Sequence, residues 1–216
     1  MIYLLETTKM ENLNKIIQEE LEGLLTEKDP SEYNSVLLMD ELSKIATEIN
    51  QPKPTKVLDS GSDALIFETS NKNILIRVEQ IDDDEYVDNL PEYQLSDWDI
   101  QATGGVSKIY HINEYHIDNN SYLVSWKERV NPNFEYVLYR KYGENASEII
   151  YALHLYELAY GFSSPETKEE KLNILKNTKE TSRLYDAIME GLPIGDLSPD
   201  SNMGLNNDGY IVAFDV

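Results

Sequence analysis

Apolar positions recur at helical spacing through the first fifty residues: Leu13, Ile16, Ile17, Leu21, Leu24 and Leu25, then Leu37, Leu38, Leu42, Ile45 and Ile49. This periodicity predicts two amphipathic helices. A break over TEKDPSEY (26–33), which contains Pro30, separates them, and the second helix starts near Ser35. The segment QPKPTK (51–56) ends it, because proline lacks a donor and disfavours helix in the residue before it. From Lys56 the period shortens. Val57-Leu58, Ala64–Phe67 and Ile74–Val78 are short apolar runs divided by Asp59–Asp63 and Ser70–Asn73, which are strand and turn signals at hairpin spacing. Residues 79–91 are acidic and read as loop. Residues 92–102 read as a short helix broken by Gly104-Gly105, and two strands follow near 106–117 and 121–130 with a turn at Asn119-Asn120. Helices are expected over 145–160 and from Pro165 to Glu190. Met203–Leu205 and Tyr210–Phe214 form a hairpin around Asn206–Gly209.

The fold class implied is α+β: a helical extension (1–55), an antiparallel part of five strands holding one helix (56–130), and a mostly helical part ending in a hairpin (131–216). A chain of 216 residues that is 41% hydrophobic is large enough for a packed core.

Charge narrows the functional classes. Eighteen Lys and Arg against 40 Asp and Glu give a formal net charge of −22. Such a surface repels nucleic acid and anionic membrane, so direct contact with either is not expected, whereas a basic partner protein or DNA mimicry is compatible with it. The absence of cysteine excludes disulfides and thiolate metal sites and fits a cytoplasmic setting. No run reaches the roughly 18 apolar residues of a membrane span, and the N-terminus lacks the pattern of a secretory signal. The histidines His111, His116 and His154 are scattered without metal-ligand spacing. Asp82–Glu85 lacks the spaced ligands of a calcium loop.

The densest chemistry lies near the C-terminus, in Gly195-Asp196-Leu197-Ser198-Pro199-Asp200-Ser201-Asn202 and in Ala213-Phe214-Asp215. An acid, an amide and a second acid flank one hairpin. Phosphoryl transfer uses one carboxylate to orient the attacking hydroxyl, and an amide oxygen with another carboxylate to hold Mg²⁺.

This segment resembles the catalytic loop and metal-binding strand of the protein-kinase-like superfamily, nearest to the aminoglycoside-phosphotransferase and small atypical kinase branch. The resemblance implies a two-lobed fold with a five-stranded N-lobe and a reduced C-lobe, and ATP and Mg²⁺ as cofactors. It makes Asp196 the catalytic base and Asn202 and Asp215 metal ligands. Ser60, Gly61 and Ser62 then occupy the phosphate loop, and Arg77 stands at the third-strand lysine position. Glu92, or alternatively Glu85, is the carboxylate facing that cation. The adenine-binding hinge falls on the main chain near Trp126–Arg129, with Glu128 within it. The chain departs from the family pattern at Ile194, in place of histidine, in an Asp196–Asn202 spacing one residue longer, at Arg77, and in having one loop glycine of three. Two functions therefore stand open beside each other. One is phosphoryl transfer to a protein or small-molecule hydroxyl. The other is a catalytically impaired, pseudokinase-like binding module, of phage type in its size and acidity, whose acidic surface engages a basic partner. A DNA-mimicking inhibitor on an unrelated fold is a third possibility.

Overall fold

The computed structural model describes residues 30–60, 64–81, 87, 90–155, 164–194, 197 and 202–214, with the backbone alone for 30–34, 59, 60 and 91. Helix α1 (Pro30–Glu48) precedes strands β1 (Pro54–Ser60), β2 (Ala64–Thr69) and β3 (Ile74–Ile81). Two short helices follow, α2 (Pro91–Leu95) and α3 (Trp98–Thr103), and then β4 (Ile109–Ile117) and β5 (Asn120–Glu128). Helices α4 (Phe134–Tyr142), α5 (Ala146–Leu153), α6 (Pro165–Asn177) and α7 (Ser182–Met189) lead to β6 (Met203–Leu205) and β7 (Ile211–Ala213). The architecture is α+β. The first five strands form one antiparallel sheet in the order β1-β2-β3-β5-β4, and β6 and β7 pair as a separate hairpin. Among the described residues no helix is long and apolar enough to cross a membrane.

Alternation along the strands gives this sheet two unlike faces. Phe67, Ile74, Ile76, Val78, Tyr122, Val124 and Trp126 make the apolar face, and α1 covers it with Leu38, Leu42 and Ala46. Trp126 is completely buried, and its Nε1 donates to the Pro52 carbonyl at 3.0 Å, so the one polar atom of the indole is satisfied. The opposite face carries Arg77 and Glu79 on β3 and Ser125 and Lys127 on β5, with Arg77 directly across from Ser125. Its apolar end, Ile81 and Leu123, packs with Leu90 at the entrance to α2.

A second core joins α2 and α3 to the later helices and the hairpin through Leu95, Ile100, Val106, Phe134, Leu138, Leu153, Leu175, Leu184, Met203 and Ile211. The connection from α3 to β4 binds the two parts together. Ser107 N donates to the Ala213 carbonyl at 2.7 Å, and Ala213 N to the Gly105 carbonyl at 3.0 Å. Gln101 reinforces this turn: its Nε2 donates to the Leu95 and Ser107 carbonyls, and its Oε1 accepts from Ile109 N. Gly105 lies so close to α7 that a Cβ there would stand 2.1 Å from the Arg183 carbonyl oxygen.

Several boundaries differ from the sequence expectation. Helix α1 begins at Pro30 rather than near Ser35. Proline is tolerated in a first helical turn, where its missing N–H has no partner to lose. The expected single helix over 92–102 is two, because the Asp97 side chain accepts from Asp99 N and Ile100 N and starts a new helix there. The sheet part therefore holds two helices rather than one. The strand expected from 106 begins at Ile109, and the region read as loop from 79 continues β3 to Ile81. The tight turn between β4 and β5 centres on Asp118 and Asn119, both at positive φ, one residue earlier than expected. The helix expected from Pro165 to Glu190 divides at 178–181 into α6 and α7, and α4 was not expected. The helix expected over 13–25 lies outside the described residues.

Candidate site at the charged sheet face

Glu92 lies in the first turn of α2, after Pro91 in a position that favours helix entry. The short helix lays the Glu92 carboxylate on the charged face of the sheet. Its Oε1 accepts from Ser125 Oγ at 2.6 Å, and its Oε2 from Lys127 Nζ at 2.6 Å. The pair is buried, with the side chains of Lys127 and Glu92 exposed by 7% and 1%. Burial pushes the Glu92 pKa up, but the charges of Lys127 and Arg77, with hydrogen bonds from Lys127 and Ser125, outweigh it and hold the carboxyl below its ordinary range.

Lys127 reaches further. Its Nζ also donates to the Phe214 carbonyl at 2.6 Å. Phe214 N in turn donates to the Asn202 carbonyl at 3.0 Å. One chain of contacts thus runs from α2 through β5 to the end of the hairpin, and joins Glu92, Lys127, Phe214 and Asn202. The last two residues border segments 198–201 and 215–216.

Arg77 is on the expected strand and faces this cluster, but its guanidinium forms an ion pair with Glu79, two residues along the same strand. The expected Arg77–Glu92 pairing is therefore corrected in part. Glu92 is the buried carboxylate, Arg77 acts on it through its charge, and the direct cationic partner is Lys127. Register explains the exchange, since β5 is the neighbour of β3 and sets Ser125 and Lys127 on the same face as Arg77. The signal for Lys127 was present in the alternation Val124-Ser125-Trp126-Lys127, which puts a lysine on the polar side of a strand that lies inside the sheet rather than at its edge.

Glu128 serves the fold. Its carboxylate accepts from Asn207 N at 3.2 Å and Asn207 Nδ2 at 3.0 Å, which clamps the hairpin turn to β5. Its backbone N–H donates to the Lys108 carbonyl and that of Arg129 to the Asn73 carbonyl, so the donors expected at a hinge here are engaged within the protein. Ser60 ends β1, with its backbone opposite Leu65. Gly61, Ser62, Glu85, Asp196 and Asp215 lie outside the described residues. Among the described residues no three His, Cys, Asp or Glu side chains converge to hold a metal. Asn202 is the one expected metal ligand that is described, and its backbone contact with Phe214 sets it beside the chain leading into Asp215.

The arrangement provides a buried ion pair held by α2, by β5 and by the main chain just after β7. It can fix an ammonium group at a constant position beside the end of the hairpin. No protein-family model matches the chain, and no curated protein matches it.

Proposed function

We propose that this chain binds ATP with Mg²⁺ at the charged sheet face and transfers the terminal phosphoryl group to a hydroxyl acceptor on a protein or small molecule. The observation that carries the reading is the buried Lys127–Glu92 pair bonded to the Phe214 carbonyl, next to Asp215. The order of parts supports it: a five-stranded antiparallel sheet, a helix bearing a buried glutamate between β3 and β4, then helices, then a short hairpin. This is the order that resemblance to the kinase-like superfamily implies.

The acceptor oxygen attacks the terminal phosphorus, the bond to the bridging oxygen breaks, and ADP leaves with the electron pair. Asp196 orients the acceptor and takes its proton. Asn202 and Asp215 would hold the metal, and the main-chain bond from Phe214 N to the Asn202 carbonyl supports this by joining Asn202 to the residue before Asp215. Bound Mg²⁺ would neutralise charge on the phosphates.

Thermal unfolding with and without millimolar ATP and Mg²⁺ tests the reading. At a hundredfold excess over Kd, binding to the folded state adds about 2.7 kcal/mol, which at about 2–4 °C per kcal/mol for a chain of this size raises Tm by about 5–11 °C. The rise should need the metal and disappear in Asp215→Ala, and Asp196→Ala should lose turnover while keeping its fold. The absence of any rise in the natural chain refutes nucleotide binding.

A second reading has its own support. The pairing of Arg77 with Glu79 and the engaged donors of Glu128 and Arg129 favour a kinase-like binding module that has lost turnover. Its acidic surface would hold a basic partner protein. Such a module would tolerate Asp196→Ala and fail when acidic residues are neutralised.

A further inference from the structure

The charged face offers two cations, and they are not equivalent. The Arg77 guanidinium is paired with Glu79 on its own strand. Lys127 is fixed by Glu92 and by the Phe214 carbonyl, at 2.6 Å each. An ammonium has three donors, so two are committed, and the third has no partner among the described residues. Both committed partners are rigid: one is a buried carboxylate held also by Ser125, the other a main-chain carbonyl of the hairpin. A compact ammonium donates to a phosphate oxygen approaching from a range of directions, whereas a planar guanidinium demands a fork geometry.

We infer that Lys127, on β5, is the cation that contacts the phosphates of the bound nucleotide, in place of the third-strand position occupied by Arg77. This inference rests on the nucleotide-binding reading above and assigns the cation within that site. Glu92 and Ser125 are then positioning residues: they orient Lys127 without touching the nucleotide. Arg77 supports Glu92 electrostatically from the neighbouring strand. The basic function has moved by one strand in space, while the buried carboxylate on α2 has remained beside it.

An ATP acyl-phosphate probe tests this on the unaltered full chain. A lysine Nζ near the phosphates attacks the acyl carbon, an amide forms, the acyl carbon–oxygen bond to phosphate breaks, and the nucleotide departs with that electron pair while the amine proton passes to solvent. Peptide mass spectrometry then locates the acyl group. We expect it on Lys127, with labelling reduced about a hundredfold by Mg²⁺-ATP at a hundredfold excess over its Kd. In parallel, Lys127→Met should lose the ATP-dependent rise in Tm, and Arg77→Met should retain most of it. Because Lys127→Met leaves Glu92 unpaired, the double variant Lys127→Met/Glu92→Gln is measured beside it as a folded control. If ATP stabilises the natural chain but the ATP-protected label falls on another lysine, or on none, the assignment to Lys127 is overturned and the nucleotide reading survives. If ATP neither stabilises the chain nor protects any lysine, the nucleotide reading falls, and this inference with it.

Discussion

Replacement of Lys127 by Met should be one of the most damaging single changes in the sheet, independently of any ligand. Methionine keeps much of the side-chain volume and removes the charge, so Glu92 remains as a carboxylate exposed by only 1%. Exposed ion pairs contribute about 0–1 kcal/mol, but removing one partner of a buried pair costs about 3–5 kcal/mol. Two compensations survive here, the Ser125 hydrogen bond and the charge of Arg77, and they place the expected loss near the lower end, about 3 kcal/mol. Urea denaturation followed by circular dichroism gives the value directly, and a double-mutant cycle with Glu92→Gln isolates the coupling. The double variant should be more stable than Lys127→Met alone, because no uncompensated charge is then buried. pH supplies an independent check. The folded-state pKa of Glu92 is depressed, so its stabilisation is complete above its unfolded value of about 4.3 and is lost as pH falls through the folded value. In Lys127→Met the carboxyl loses its main attraction and its pKa rises. The gap between variant and natural chain should therefore be widest near neutrality and narrow in acid. A loss below about 0.5 kcal/mol, with additive single changes in the cycle, would refute the claim that this pair is buried and coupled.

Three other perturbations examine the frame that positions the pair. Leu42→Ala, at a fully buried position of α1 against the sheet, should cost about 2–5 kcal/mol by urea denaturation; a cost under 1 kcal/mol would mean that α1 does not cover this face. Gly105→Ala would set a Cβ 2.1 Å from a main-chain oxygen of α7, and rigid backbone cannot yield as a flexible side chain does. The expected loss is about 3 kcal/mol, seen as a fall in Tm, and an unchanged Tm would contradict the close approach. Ser107→Ala should instead stabilise the chain by about 1 kcal/mol, because the buried Ser107 hydroxyl has no hydrogen-bond partner among the described residues and its desolvation is uncompensated. Loss of stability in that variant would reveal a partner for the hydroxyl.

The hairpin turn at Asn206–Gly209 and strands β2, β3 and β5 were legible because their signals are local. A short apolar run rich in β-branched residues between turn formers signals a strand from a few neighbouring positions. Glu92 was a candidate only through the resemblance to kinase-like chains, as the carboxylate on the helix after the third strand. The pairing of charges was not legible in the same way. Glu92 and Lys127 are 35 positions apart, and Lys127 and Phe214 are 87 apart. The resemblance to kinase-like chains implied Arg77 as the partner of Glu92.

The sequence by itself determined the α+β class, the alternation that gives the sheet one apolar and one charged face, and the acidity of the surface. Tertiary structure decided which cation meets Glu92. Strand order brings β5 against β3, so Ser125 and Lys127 join Arg77 on one face, where Arg77 pairs with Glu79 and Lys127 with Glu92. The physical reason is one of range. Side-chain periodicity is set within a few residues by backbone geometry. The burial that makes an ion pair costly to break exists only once segments distant in the chain have packed together.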